Sequence, residues 1–327
     1  MPNIITHKIF AEEVLKEITK QDIKGMIDRH PQIFYIGSNG PDFLFFQHAK
    51  PWEAMKSHTL NHLGSAMHAV HINDFYRVAM RCIKEQKHPD VKEAMSVYLF
   101  GHLCHWALDM KTHPYIFYRT GNCKGVSAGY HHRFESMMDT MMLERYHNLS
   151  IRDYRAYEIC EYDEDILRAI SRIYVPVAKE VYHVEVKVHD IRETLNSWYD
   201  IQKLLYDPKK MKYKALKGVE TIIRKPWMIS GNVVRPDVED RYDILNEEKH
   251  IWYHPCDDHI SSNASFLELF NEAIKIANTV LEKAYGCVEY DADISGVMDI
   301  LKDRAYDTGM DGEREMKYFD IIYEEAS

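Results

Sequence analysis

Apolar residues recur at helical spacing along most of the chain, and the alternating pattern of a strand is scarce. A first helix is predicted to begin near His7, with Thr6 as its N-cap. Residues 30–46 include a run of glycine, asparagine and proline and are predicted to form a structured loop. Further helices are predicted at about 57–84, 89–113 (ending before Pro114), 163–175, 181–205 and 266–284, with a loop at 252–255 and a helix start within 261–265.

The helical periods continue through the chain without an internal repeat, a low-complexity tract or a clear linker. A chain of 327 residues is long enough for a sizeable core. We therefore predict an all-α, multi-helix fold with a single core. Residues 1–160 are expected to form the helical core that contains the chemistry, and residues 161–327 a helical C-terminal half packed on the same domain.

Polar residues form one stripe inside the predicted helix 89–113. His105, Asp109 and His113 are spaced at i, i+4 and i+8 and share a face, with His102 one turn earlier on the same side. Imidazoles and a carboxylate are costly to bury in an apolar helix unless something pairs with them. A divalent cation is the simplest such partner, and a set of hydrogen-bonded core histidines is the alternative.

Other candidate ligands are concentrated in the first half of the chain, which holds 14 of the 19 histidines before residue 150. In the helix after the stripe, His131 and Glu135 are four residues apart and share a face, and Asp139 extends the line. The remaining candidates are Asp42, which follows the Gly40-Pro41 turn and could instead cap a helix, His68, His7, and the i, i+4 pair His58 and His62.

Charge and cysteine usage narrow the partners and the compartment. The formal net charge of −10 argues against a general nucleic-acid binder, so no stable nucleic-acid partner is expected. The basic run from Lys209 to Lys217 is interpreted as a solvated helix face or loop. Six scattered cysteines without a CxxC pair are typical of a reduced cytosolic protein. Because neither a signal peptide nor an apolar run of roughly 20 residues is visible, we expect a cytoplasmic protein without a transmembrane segment.

The candidate residues indicate a site for more than one metal ion. Imidazole and carboxylate ligands without a thiolate pattern suit zinc or a similar first-row metal. Seven or eight such residues are too many for one tetrahedral site and about right for two or three ions. Asp109, in the middle of its stripe, is placed to bridge two of them. Sites of this kind typically serve phosphate-ester hydrolysis.

The order His…GPD…His…HxxxDxxxHP…HxxxE over about residues 1–150 resembles the bacterial zinc-dependent phospholipase C family, which is distantly similar to fungal zinc-dependent single-strand nucleases. The resemblance implies an all-α fold with three zinc ions at the bottom of a cleft. Secreted members use an N-terminal tryptophan at the third zinc, which this chain lacks near its start, and His71 or His62 could replace His68. The resemblance implies that Asp42, His68, His105 and Asp109 hold one zinc, that His113, His131 and Glu135 hold the second, and that His7, sharing Asp109, contributes to the third.

The predicted activity is metal-dependent hydrolysis of a phosphodiester by a metal-bound hydroxide, with Asp42 as proton acceptor or water-orienting group and Asp109 as the bridging carboxylate. The substrate could be a phospholipid or a head-group ester, although no exposed amphipathic anchor is evident for a membrane substrate. A nuclease or phosphatase acting on soluble phosphate esters, and a non-catalytic metal-binding protein, are the alternatives. An HD-type phosphohydrolase, using His189-Asp190, and a di-iron bundle, using Glu144/His147 and Glu180/His183, fit the sequence less well.

Overall fold

The computed structural model of the protein describes residues 4–50, 53 and 55–322. Over these residues the chain forms twelve α-helices, short 3₁₀ turns and one antiparallel hairpin, so the all-α prediction is confirmed. The helices are α1 Ile4–Glu17, α2 Gln21–Arg29, α3 Pro31–Gly37, α4 Thr59–Ala69, α5 Ile72–Lys84, α6 Pro89–Thr120, α7 Val126–His147, α8 Glu164–Glu180, α9 Val188–Leu205, α10 Met211–Ile223, α11 Phe266–Tyr290 and α12 Ser295–Leu301. The 3₁₀ turns include Asp42–Phe46, Ala156–Cys160 and Ser230–Asn232, and the hairpin pairs β1 Trp252–His254 with β2 Asp257–Ser262.

Helix α6 is the central element, and its 32 residues are buried on every side over most of their length. A helix that is apolar all round belongs inside a protein, and here α1, α3, α7, α8 and α11 surround it. Helix α3 approaches α6 closely at the point where Gly37 and Gly101 face each other. A Cβ on Gly101 would lie 2.3 Å from the carbonyl oxygen of Phe34, so only glycine fits there. This close contact sets the turn after α3 against the middle of α6.

The predicted end of α6 at Pro114 is wrong, because the helix continues through the proline to Thr120. A proline lacks an N–H group, so the carbonyl of Met110, one turn earlier, loses its helical donor. Gly309 packs against that carbonyl with a positive φ of 63°, and a Cβ there would lie 2.4 Å from the Met110 oxygen. Because the residues before and after Pro114 are buried, α6 continues as a helix despite the missing hydrogen bond.

Several predicted boundaries in the first half are also wrong. The helix predicted at 57–84 breaks into α4 and α5, because Val70 is extended and His71 adopts a left-handed φ of 61°. The segment 30–46, predicted to be a loop, contains α3 and a 3₁₀ turn. Thr6 lies inside α1 rather than at its N-cap. In each case tertiary packing overrides the local turn or capping signal.

The C-terminal half packs against the first half. Helix α11 has its most extensive contact with α6, and residues of both halves share one hydrophobic cluster. Ser265 caps α11 in a capping box with Glu268, in agreement with the predicted helix start, whereas the predicted loop 252–255 includes β1. Helix α9 begins at Val188, later than the predicted 181. Within the described ranges, no helix is long and apolar enough to cross a membrane.

A loop after α12 returns to the centre of the molecule. The backbone N–H of Tyr306 donates a 2.8 Å hydrogen bond to the carbonyl of His68, and the carbonyl of Arg304 accepts one of 3.0 Å from the indole of Trp106. These bonds fix the end of α4 and the middle of α6 to the same loop. Three helices and this loop thereby enclose the polar stripe of α6.

Candidate metal centre

Eight buried imidazole and carboxylate side chains from five segments meet beside α6. Helix α6 contributes three of them, α7 contributes two, and α1, α4 and the 3₁₀ turn at 42–46 contribute one each. Each side chain belongs to a residue that is at most 6 % exposed. The structure thus brings together the whole principal set of candidates: His7, Asp42, His68, His105, Asp109, His113, His131 and Glu135.

Asp109 lies between two histidines that come from different helices. Its Oδ1 is 3.3 Å from Nε2 of His7 on α1, and its Oδ2 is 3.2 Å from Nε2 of His105 on α6. The two imidazoles also face each other, with 3.3 Å between their Nδ1 atoms. One carboxylate therefore has an imidazole nitrogen beside each oxygen, which is the arrangement that a bridging ligand requires.

Asp42 completes this side of the cluster. Its Oδ1 lies 3.0 Å from Nε2 of His68 and 3.6 Å from Nε2 of His105. Gly40 makes this arrangement possible, because its φ is +50° and a Cβ there would lie 2.2 Å from the His105 ring. Ligand atoms of His7, Asp42 and His105 fall within 4.8 Å of one another, as do those of His68, His105 and Asp109.

A second group lies one helical turn further along α6. Nε2 of His131 is 3.1 Å from Oε1 of Glu135, and Nε2 of His113 is 3.7 Å from the same oxygen. Nδ1 of His113 is also 3.6 Å from Oδ2 of Asp109, so the two groups are neighbours. A small cavity borders His7, Asp109, His113 and Glu135 between them.

The ring protons of two histidines are fixed by partners that can only accept. Nδ1 of His68 donates to the carbonyl of Gly64 at 2.7 Å, and Nδ1 of His113 donates to the carbonyl of Tyr306 at 3.2 Å. When these rings are neutral, the Nε2 of each is a lone pair directed toward a carboxylate. A lone pair facing an anion is repulsive unless a proton or a cation lies between them. Histidines that bind metals are held in this way.

His131 is held by the same kind of contact. Its Nδ1 lies 3.1 Å from the hydroxyl oxygen of Thr120, whose proton is already donated to the carbonyl of Ile116 at 2.7 Å. Nδ1 of His131 is therefore the donor, and its Nε2 faces Glu135. Three histidines from three helices present Nε2 to carboxylates.

The cluster contains buried polar atoms that nothing in the described part of the chain satisfies. Oδ2 of Asp42, Oδ2 of Asp109 and Nε2 of His105 make no hydrogen bond. The 3.2 Å contact between His105 and Asp109 lacks hydrogen-bonding geometry. Buried polar groups in folded proteins are almost always paired, and divalent cations bound within the cluster would satisfy these atoms. The donor set therefore fits a metal.

Comparison with protein families gives the same assignment. The sequence pattern of the family described as zinc-dependent phospholipase C matches residues 6–184, more than half of the chain, and this range includes all eight residues of the cluster. The chain belongs to the zinc-dependent phospholipase C family. Searches of curated proteins and of solved structures gave no match. The resemblance found in the order of the motifs is confirmed.

Burial and neighbouring charges shift the pKa values of the residues in the cluster in opposite directions. Burial lowers the pKa of His113, but the carboxylates of Asp109 and Glu135 raise it to about 10. Burial lowers the pKa of His105 to about 4, although Asp109 and Asp42 oppose that shift. Burial raises the pKa of Asp109, but the neighbouring histidines hold it well below its usual range. The carboxylates are thus ionised and strongly attract positive charge.

Two residues of this centre lie outside the range that matches the family and were missed from the sequence. The carbonyl of Tyr306 accepts from His113, and Oδ1 of Asp307 lies 4.0 Å from Nδ1 of the same ring. Neither residue belongs to a helical motif, so the sequence held no spacing signal for them. Only the returning loop after α12 brings them to α6.

His102, predicted to extend the stripe, takes no part in the cluster. Its ring stacks on Phe75 with 4.5 Å between centroids, its Nδ1 lies 2.9 Å from the hydroxyl of Tyr76, and burial lowers its pKa well below the usual value. His102 is a hydrogen-bonded core histidine. His62 and His71, the alternatives to His68, are exposed, so only His68 reaches Asp42.

Asp139 extends the line of His131 and Glu135 along α7 but reaches α1 instead of the cluster. Its carboxylate accepts hydrogen bonds from the backbone N–H groups of Ile5 and Thr6 and from the Thr6 hydroxyl. Asp139 thereby fixes the turn of α1 that precedes His7. Its role is to position the segment next to a candidate ligand.

The motifs behind the rival enzyme classes lie on the surface. The His189 side chain is 71 % exposed and pairs with Glu193 on its own helix, so it belongs to no enclosed site. Glu144 is exposed, and Glu180 pairs with Arg81 at the surface. Neither the HD pair nor the ExxH pairs contribute to a buried metal-binding cluster.

Proposed function

We propose that this protein is a zinc-dependent phosphoric-ester hydrolase that cleaves a phosphodiester bond of a phospholipid or of its head-group ester. The observation that supports the proposal best is the buried cluster of eight imidazole and carboxylate side chains, in which Asp42, His105 and Asp109 keep unsatisfied atoms. Membership of the zinc-dependent phospholipase C family supports both the metal and the class of substrate.

The cluster has room for two or three ions. The second group is the simplest, because its three members share no residue with the others. The first group consists of His7, Asp42, His68, His105 and Asp109. It could hold one ion, or two ions that share Asp109, and the second of these would need His7 as a ligand. In the arrangement we propose, Asp42, His68, His105 and Asp109 hold the first ion, His113, His131 and Glu135 hold the second, and His7 with Asp109 contributes to a third.

Zinc ions bound close together would lower the pKa of a bound water, hold the phosphoryl oxygens and stabilise the leaving oxygen. The side chains supply the remaining functions. Oδ1 of Asp42 lies 3.0 Å from His68, whereas its Oδ2 makes no hydrogen bond to the described residues and is available as a proton acceptor. Asp109 links the two groups, since its oxygens contact His7 and His105 on one side and its Oδ2 lies 3.6 Å from Nδ1 of His113 on the other.

Burial contributes to the proposed chemistry as well. The eight side chains lie in a surrounding of apolar residues, where charge interactions are stronger than in water. The Nδ1 hydrogen bonds of His68, His113 and His131 hold the rings in one orientation before any ligand arrives. Preorganised groups need no rearrangement as the charge of the reaction develops.

The proposal is tested by removing metal with a chelator, restoring zinc, and measuring hydrolysis of a water-soluble phosphodiester and of a dispersed phospholipid. We expect activity that disappears with the chelator and returns with zinc. Hydrolysis of only soluble phosphate esters would support a nuclease or phosphatase in place of the phospholipase. Stoichiometric zinc without hydrolysis of any phosphate ester would support a non-catalytic metal-binding protein.

A further inference from the structure

Helix α10 is an amphipathic helix whose apolar side faces outward. It packs on the protein through the opposite side, where Tyr213 and Glu220 are buried. Met211, Val219 and Ile222 follow at i, i+8 and i+11 and form a stripe that is exposed by 70 %, 57 % and 82 %. An apolar stripe opposite the buried side of a helix is unfavourable in water, so it indicates a partner.

The segment that follows α10 extends this apolar surface. Met228 and Ile229 are both exposed, and Glu220 holds them in place by accepting hydrogen bonds from the backbone N–H of Ile229 at 2.7 Å and of Ser230 at 2.8 Å. The Ser230 hydroxyl donates to the same carboxylate. The outward orientation is therefore built into the fold by a buried acid. We call the exposed residues the α10 surface: Met211, Lys214, Lys217, Val219, Ile222, Ile223, Arg224, Lys225, Met228 and Ile229.

Positive charge surrounds the apolar stripe. Residues 208–236 contain eight basic residues and one acidic residue, the buried Glu220, in a chain whose net charge is −10. Across the described ranges, Lys214, Arg224 and Lys225 have no carboxylate within 4.0 Å. In a chain whose net charge is negative, an anionic surface would attract this basic stretch and would thereby favour a single orientation of the molecule.

We propose that the α10 surface docks onto anionic phospholipid membranes. Basic residues beside a stripe of large apolar side chains are typical of helices that lie in the plane of a membrane interface. A second copy of the chain would bring two basic surfaces together and is disfavoured by repulsion. A nucleic acid would pair with the lysines but would leave Ile222 and its neighbours in water.

The α10 surface adjoins the helix that holds the second ligand group. Backbone oxygens of Pro226 and Trp227 pack against Gly129 on α7, where a Cβ would lie 3.1 Å and 3.2 Å away, and Trp227 contacts Tyr130 with 5.6 Å between ring centroids. His131 is the next residue along α7. Docking would thus bring the membrane to the neighbourhood of α7. The idea that docking brings a membrane substrate near the metal centre rests on the proposed function, whereas the docking itself does not. Docking would replace two interpretations made from the sequence, that the basic run is a solvated face or loop and that no exposed amphipathic anchor is evident.

The test is cosedimentation of the full chain with vesicles of phosphatidylcholine, with and without phosphatidylglycerol. We expect binding that requires phosphatidylglycerol and weakens as salt is raised. Replacing Lys214→Glu and Arg224→Glu together should weaken binding at least about tenfold. Replacing Val219→Ser and Ile222→Ser should also weaken it about tenfold, because less apolar surface is buried. Lys275→Glu on α11 and Val188→Ser on α9, which are exposed elsewhere, serve as matched controls and should bind normally.

Three outcomes would overturn the proposal. The first is that the protein does not bind vesicles that contain phosphatidylglycerol. The second is that the α10 substitutions and the control substitutions weaken binding equally. The third is that the charge reversals abolish binding while the two serine substitutions leave it unchanged. The last outcome would identify a site for a soluble polyanion. Vesicle binding is measured without turnover, and Asp109→Asn, which disables the metal site, should bind vesicles normally. A failure of docking and a failure of the proposed function are therefore distinguishable.

Discussion

Asp139 on α7 accepts two hydrogen bonds from Thr6 on α1, one of 2.7 Å from the backbone N–H and one of 2.6 Å from the hydroxyl. Both residues are buried, and they are 133 positions apart in the chain. The contact joins the helix that contains His7 to the helix that contains His131 and Glu135. The relative position of the two ligand groups therefore depends on a pair that binds no metal.

Removing the hydroxyl with Thr6→Val should destabilise the protein by about 1–2 kcal/mol, because a buried carboxylate loses one of its donors. The free energy of unfolding by urea measures this effect. Thr279→Val is the matched control, since the Thr279 hydroxyl is exposed and bonds only to its own helix. An equal loss in both variants would contradict the assigned role of the Thr6–Asp139 contact.

Asp109→Asn should lower phosphodiesterase activity by about a hundredfold or more, because loss of even an outer partner of a metal ligand typically costs about 10- to 100-fold and Asp109 is proposed as a ligand itself. The helical circular dichroism should stay unchanged, since the substitution is nearly isosteric. Asp90→Asn, at the exposed start of the same helix, is the control and should keep full activity. Full metal-dependent activity in Asp109→Asn would show that the bridging assignment is wrong.

Glu135→Gln should remove one zinc ion per chain and leave the rest in place. Glu135 contacts only His113 and His131 within the candidate ligands, and neither belongs to the first group. Metal analysis of the purified variant gives the count. Glu144→Gln, on the exposed end of α7, should keep every ion. If Glu135→Gln loses all of its zinc, or none, the two groups are not separate sites.

Gly309→Ala should destabilise the protein by about 2 kcal/mol more than Gly312→Ala. Both glycines have a positive φ, 63° and 67°, so both alanines bear the same backbone strain. Only at Gly309 does the added Cβ meet the Met110 carbonyl, at 2.4 Å, whereas the space around Gly312 is open. Thermal unfolding of the two variants measures the difference. Equal melting temperatures would show that Gly309 does not support α6 at Pro114.

Local spacing explains which parts of the site could be predicted from the sequence. His105, Asp109 and His113 share a face because a helix repeats every 3.6 residues, and so do His131 and Glu135. Burial of both helices then brings the two motifs together. The HxxxDxxxH and HxxxE patterns were sufficient for this, without knowledge of the helix ends.

The parts of the site and of the fold that could not be predicted from the sequence depend on contacts between distant segments. Nothing near His102 in the sequence indicates that Phe75 would stack on its ring and that Tyr76 would pair with its Nδ1, and nothing near Asp307 indicates that its loop returns to His113. The passage of α6 through Pro114 likewise depends on Gly309, almost two hundred residues later. Local rules for proline and capping were overridden wherever the core enclosed the backbone.

The α10 surface shows a different limit of sequence reading. Its lysines were visible, but a basic run is compatible with either a solvated face or a docking face. The difference lies in which side of the helix is buried. Only the burial of Tyr213 and Glu220 shows that Met211 and Ile222 point outward.

The number of zinc ions per chain in the purified protein should be measured by elemental analysis before any activity assay. We expect two or three ions, and a chain with His7→Ala should hold one fewer if His7 builds the third position. A single ion would contradict the two-group arrangement. No metal, even after zinc is supplied, would show that the cluster is not a metal centre and would leave the eight side chains as a buried hydrogen-bonded cluster.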